Sequence, residues 1–170
     1  MDALFTRADY LRLPEDFPAQ LIEGFLVRDP SPLYGHQRLA LEIRDALTKV
    51  VPKERILVAP VDAPIDDLNV YQPDVAVYCE TPPDDEGGTL VPMVVFEVLS
   101  KSTERIDRKI KRPHYLKAGV LEVWLADRAT QTLELHSCDG VRTATGTESL
   151  ASAVLAGFAL VPATLFAPPR

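Results

Sequence analysis

Residues Val94-Val95-Phe96-Glu97-Val98-Leu99 form a near-continuous apolar run with one carboxylate inside it. Such a run reads as a strand covered on both faces. A lone carboxylate there is costly unless it is paired, hydrogen-bonded or bound to a metal; the alternative is an edge strand with Glu97 turned to water. A second strand-like piece, Gln72–Tyr78, precedes it, and the polar stretch Thr81–Gly88 separates the two. Together they read as an antiparallel hairpin. Facing residues of a hairpin keep a constant sum of positions, so a loop centred between Asp85 and Glu86 sets Asp74 opposite Glu97. The two carboxylates then converge at one end of a sheet. Two oxygen ligands with several waters retained suit Mg2+ or Mn2+.

The surrounding elements follow from periodicity and punctuation. Residues 3–13 read as a short helix stopped by Pro14, and Leu21–Val27 as two extended pieces turning at Gly24. Asp29-Pro30-Ser31-Pro32 is loop chemistry, because two prolines fix φ and remove donors. From Gly35 to Val50, Leu39, Ile43, Ala46, Leu47 and Val50 recur at helical spacing, with Pro52 beyond the end. Ile56–Pro60 reads as a strand. Thr103–Ala118 reads as a second helix capped by Gly119. Leu121–Ala126 and Thr132–His136 alternate like strands across a turn at Asp127–Thr130, and a further strand pair is signalled near Val141–Thr147 and Phe158–Val161. Helices around a mixed sheet give an α/β (α+β) fold, and 170 residues without a visible linker make residues 1–170 one domain. A chain of this size buries roughly two-thirds of its unfolded surface, so it needs no disulfide or structural metal to fold. Cys79 and Cys138 have no zinc-ligand spacing and read as buried free thiols.

The second helix carries the remaining chemistry. Asp107, Lys111 and Tyr115 are spaced by four and share a face. Next to it, Lys101, Arg105, Arg108, Lys109 and Arg112 fall within an arc of roughly 100°. That stripe reads either as a polyanion contact or as a solvated face, and Pro113 interrupts the helical geometry. The net charge of −7 argues against a general nucleic-acid coat but leaves an enzyme acting on phosphodiesters open, since the local field outweighs the total. The N-terminus mixes charges of both signs and does not read as a signal peptide. No stretch approaches the ~20 apolar residues of a membrane span. A soluble, cytoplasmic protein with no membrane partner is expected.

A series of short motifs runs in order along the chain: Ile22-Glu23-Gly24, Ser31-Pro32 with His36-Gln37, Gln72-Pro73-Asp74-Val75-Ala76-Val77, Glu97-Val98-Leu99-Ser100, Ser102-Thr103, Asp107, Lys111, Tyr115, Gly119-Val120, Glu122-Val123-Trp124, Asp127 and Gly157-Phe158-Ala159-Leu160. The series resembles the Uma-type putative restriction endonuclease family of the PD-(D/E)XK nuclease superfamily, over nearly the whole chain. The resemblance implies a restriction-endonuclease-like fold, with a central mixed sheet flanked by helices and Asp74 and Glu97 as the metal-binding acids. The superfamily's usual lysine, two residues after the second acid, is Leu99 here; the Uma-type pattern maps that role onto Lys111. The family often has Glu where this chain has Gln20 and Phe25; Glu23 is a candidate replacement beside the site.

The resemblance thus implies a Mg2+- or Mn2+-dependent endonuclease acting on DNA, with Asp74, Glu97 and Lys111 catalytic. Lys101, Arg105, Arg108, Lys109 and Arg112 are its candidate nucleic-acid contacts. His36 either lines the site or caps and packs at the helix start, Asp107 is a candidate lining residue, Tyr115 either bonds near the metal or packs in the core, and Trp124 reads as core. A two-strand cutter needs two sites, so a homodimer is a natural arrangement. Two competing readings stay open: a binding module that keeps the fold without catalysis, and a metal phosphohydrolase acting on RNA or nucleotides.

Overall fold

The computed structural model describes residues 4–14, 17–28, 32–83 and 90–168. Its framework is a six-stranded mixed sheet, ordered β10-β9-β8-β7-β6-β3. These strands are β3 (Ile56–Val58), β6 (Val75–Val77), β7 (Val94–Leu99), β8 (Glu122–Asp127), β9 (Thr132–Ser137) and β10 (Gly140–Thr145). Every neighbouring pair is antiparallel except β7 and β8, which run parallel. A parallel pair needs a crossover, and the chain supplies a continuous helical run between them. That run comprises α3 (Glu104–Ile106), a π-helical turn (Asp107–Lys111) and α4 (Arg112–Lys117).

Alternation along the strands divides the core between the two faces. Val94, Phe96 and Val98 of β7, with Trp124 and Ala126 of β8, pack toward α2 (Tyr34–Leu47), which buries Leu39, Ile43 and Leu47 against them. Val95 and Leu99, with Val123 and Leu125, face Tyr115, Ile106 and Ile110 of the helical run. Each such fully buried side chain contributes about 1.5–3 kcal/mol over its exposed state, so the strand register is strongly specified. Glu97 shares the parity of Val95 and Leu99 and therefore points into the second layer.

The hairpin expected from the loop arithmetic is present. β6 and β7 pair Val75 with Phe96, Ala76 with Val95 and Val77 with Val94. One step further along the same register, Asp74 faces Glu97. The residues of the central turn, and those of the Asp29–Ser31 loop, lie outside the described residues.

A second sheet, ordered β2-β1-β5-β4, was not expected. Its strands are β1 (Ala19–Ile22), β2 (Phe25–Arg28), β4 (Ala63–Asp66) and β5 (Asn69–Tyr71). The turn foreseen at Gly24 joins β1 and β2, with Glu23 and Gly24 both at positive φ, 51° and 79°, the two-residue geometry that suits the twist of a hairpin. Ile22 and Tyr71 of this sheet complete the core under the helical run.

Other expectations change in detail. The first helix is shorter, α1 (Arg7–Tyr10), with Thr6 and Asp9 forming a capping box. β10 pairs with β9 rather than with the segment near Phe158; β12 (Ala159–Leu160) pairs instead with β11 (Leu150–Ala151). The closing helix is α5 (Pro162–Leu165). Cys79 and Cys138 are exposed free thiols rather than buried ones, because one follows the end of β6 and the other lies in the β9–β10 turn. Trp124 is core, its Nε1 donating to buried Glu122. Among the described residues no helix is long and apolar enough to cross a membrane.

Candidate active site

The two acids meet where the larger sheet, the smaller sheet and the helical run converge. Glu97 is 3% exposed. Its Oε1 accepts from Tyr115 Oη at 2.8 Å and from Lys111 Nζ at 3.3 Å. Lys111 Nζ also lies 3.3 Å from Asp107 Oδ1, and both residues are buried. The helical spacing of four thus delivers Asp107, Lys111 and Tyr115 to one point over β7. Tyr71 adds a further contact that the spacing did not anticipate, its ring centroid 5.9 Å from Lys111 Nζ, within cation–π reach.

Asp74 is fixed from two directions. His36 Nε2 donates to its Oδ1 at 2.8 Å, and the backbone N–H of Val98 donates to its Oδ2 at 2.6 Å. His36 therefore holds an acid as well as opening α2. The Val98 amide ties Asp74 to the residue next to Glu97; a backbone donor leaves no trace in sequence. Tyr71 did leave one, an aromatic three positions before Asp74.

Electrostatics follow from this crowding. Burial raises the Glu97 pKa to about 8; Lys111 opposes the shift, while Asp107 and Asp74 add to it. Burial also raises Asp107, again against Lys111. The bond to Asp74 raises His36, against its own burial. Tyr115 is pushed far up by burial and by Glu97, so it remains a hydroxyl donor. Glu97 and Asp107 thus flank one ammonium in a low-dielectric site, with Asp74 near enough to act on both electrostatically. Among the described residues no three His, Cys, Asp or Glu side chains form a closed metal-binding set.

Beside this group opens a cleft of about 220 Å³, lined by Gln20, Ile22, Val27, Arg28, Ser102, Thr103, Ile106, Asp107 and Lys111. Gln20 is buried, its Oε1 accepting from the Gln72 backbone N–H at 2.8 Å. Glu23 sits in the exposed β1–β2 turn with its N–H bound to Asn69 Oδ1, and Phe25 is exposed on β2. No bond joins Glu23 to Asp74 or Glu97 among the described residues.

The basic stripe divides in two. Lys101, Arg105 and Lys109 are exposed. Arg108 instead donates to Glu104, Glu134 and Asp127, at 2.9, 2.5 and 3.4 Å. Arg112 donates through Nε to the Arg108 carbonyl and through Nη1 to His136 Nδ1, at 3.1 Å each. Arg108 and Arg112 therefore work within the fold.

Known proteins supply an independent comparison. A family model described as Uma2, putative restriction endonuclease, matches residues 7–163. The crystal structure of a putative nuclease belonging to DUF820 from Anabaena variabilis matches with a TM-score of 0.81 at 22% sequence identity, over 95% of this chain and 97% of that one. At that identity the likeness establishes a common fold. No curated protein matches the chain.

Proposed function

The chain belongs to the Uma2 family of putative restriction endonucleases, and on that footing we propose that it is a metal-dependent endonuclease hydrolysing DNA phosphodiester bonds at Asp74, Glu97 and Lys111. One observation carries the reading: a buried glutamate opposite Asp74 in the continued β6–β7 register, its pKa lifted to about 8 by burial, against Lys111 and with the help of two neighbouring carboxylates. Negative charge crowded in this way is relieved by a cation. The donor set suits a hard divalent ion in its chemistry, since it offers carboxylate oxygens. Asp74 and Glu97 would hold Mg2+ or Mn2+. Such an ion, when bound, polarises phosphoryl oxygens and acidifies a bound water.

The remaining roles belong to the chain. Tyr115 fixes Glu97, and His36 with the Val98 amide fixes Asp74. Lys111, held between Glu97 and Asp107, neutralises charge that develops on the phosphoryl group or orients the attacking water. Exposed Lys101, Arg105 and Lys109 contribute to attracting the polyanion. Cutting both strands of a duplex asks for two sites, which a symmetric pair of chains supplies.

Asp74→Ala and Lys111→Ala should each lower Mg2+- or Mn2+-dependent plasmid cleavage by on the order of 10²–10³, with circular dichroism unchanged. Wild-type cutting by both variants would overturn the assignment. A second reading, a binding module without catalysis, is favoured by Gln20, an uncharged amide on the cleft beside Asp107 and Lys111. Calorimetric titration with Mn2+ separates the two: no binding at millimolar metal favours the module. RNA and nucleotide substrates under the same conditions test the phosphohydrolase alternative.

A further inference from the structure

One cation at the acid end of the larger sheet is used neither by the acid cluster nor by the fold. β7 and β8 run parallel, with Leu99 paired to Asp127. Residue 128 therefore leaves β8 at the end of the sheet where Glu97 and Asp74 lie. Arg128 is exposed there and has no hydrogen-bond or ion-pair partner among the described residues. Its guanidinium nevertheless has a seat. It lies against Gly35, where a Cβ would overlap Nη1 and Cζ. Gly35 immediately precedes His36, whose ring holds Asp74. The guanidinium thus rests one residue from the group bonded to Asp74.

The contrast with Arg108 and Arg112 is chemical. Arg108 is neutralised by Glu104, Glu134 and Asp127, and Arg112 is committed to a carbonyl and an imidazole. Arg128 keeps its planar fork of donors for a ligand, and that fork matches two oxygens of a phosphate. An acid cluster opposes the approach of a polyanion, so a cation at its rim offsets the cost of bringing one in. Tyr34, which precedes Gly35 in the chain and is 97% exposed, leaves an aromatic surface open to a sugar or base.

We propose that Arg128, seated on Gly35, binds a backbone phosphate of the DNA strand and so positions the scissile bond over Asp74 and Glu97. This assignment rests on the nuclease reading above. Gly35 gives it a specific handle: Gly35→Ala displaces the far end of a flexible side chain and leaves the backbone in place.

The test measures fluorescence anisotropy of a short labelled DNA duplex in Ca2+, across a salt series, together with cleavage kinetics in Mg2+. Arg128→Ala should weaken binding about tenfold and flatten the log–log salt slope by about one unit. KM should rise with little change in kcat, and Arg128→Lys should recover part of the affinity. Gly35→Ala should weaken binding by a similar factor alone and add nothing to Arg128→Ala. The proposal falls if Arg128→Ala keeps wild-type affinity and salt slope, if Gly35→Ala is equally damaging in both backgrounds, or if the wild type binds no DNA. Cleavage by an Arg128→Ala variant with wild-type affinity and salt slope would spare the nuclease reading and remove this contact. Binding that depends on Arg128 without any cleavage would do the reverse.

Discussion

Glu97 sets the requirements of a site against those of a fold. Its pKa is about 8 in the folded protein, raised by burial against the pull of Lys111 and with the help of Asp107 and Asp74, from an ordinary 4.5. Between those values the folded protein keeps a proton that the unfolded chain has released. Stability is therefore fully present below the lower value and falls as pH rises through the window. Glu97→Gln removes this dependence. Its melting temperature should exceed that of the wild type at alkaline pH, with the difference shrinking toward pH 5 in a series of thermal melts. A constant gap across that series would refute the account. The opposition of Asp74 and Glu97 was legible in the sequence because hairpin register is arithmetic, and Asp107, Lys111 and Tyr115 because helical spacing is. The state of Arg108 and Arg112 was not, since their partners Glu134, Asp127 and His136 come from strands distant in the chain.

At the scale of elements, the helix between β7 and β8 is shaped by Pro113. The Arg112 N–H reaches the Asp107 carbonyl, five residues back. The Arg108 carbonyl thereby loses its α-helical donor, and the next candidate, Pro113, has no N–H to give. The Arg112 side chain fills that vacancy through Nε. It also donates to His136 Nδ1, which makes that nitrogen the acceptor and leaves Nε2–H to donate to Glu134 Oε2 at 2.9 Å. Arg112→Ala should cost about 1–3 kcal/mol in chemical denaturation, from a carbonyl left unpaired. It should leave the salt slope of DNA binding unchanged, whereas a direct phosphate contact would flatten it. Two strands of the smaller sheet, β4 and β5, escaped the sequence for a related reason. β4 contains Pro64, which argues against a central strand but is tolerated at the sheet edge that β4 occupies. β5 is only three residues long, too short for alternation to register.

For the whole molecule, an ion bound at Asp74 and Glu97 would be linked to folding, because the two acids come together only in the native chain. An ion at 100 times its Kd adds about 2.7 kcal/mol, a rise of roughly 5–10 °C for a domain of this size. Differential scanning fluorimetry with Mn2+ should show that rise in the wild type and none in Asp74→Ala; equal shifts would place the ion elsewhere. The overall architecture was legible through the long periodic segments α2, β7 and the helical run, whereas the pairing of β1 with β5, and of β5 with β4, required the assembled chain. The β6–β7 hairpin has a practical corollary. Its ladder places the acids at one end and the chain between Val77 and Val94 at the other, so carboxylate spacing is independent of the length of that connection. A peptide tag inserted between Pro82 and Pro83 should leave plasmid cleavage and melting temperature at wild-type values; a matched loss of both would disprove that independence. The connection is then a grafting point, where a fluorescent reporter or a targeting module can be carried without retuning the chemistry at the far end of the strands.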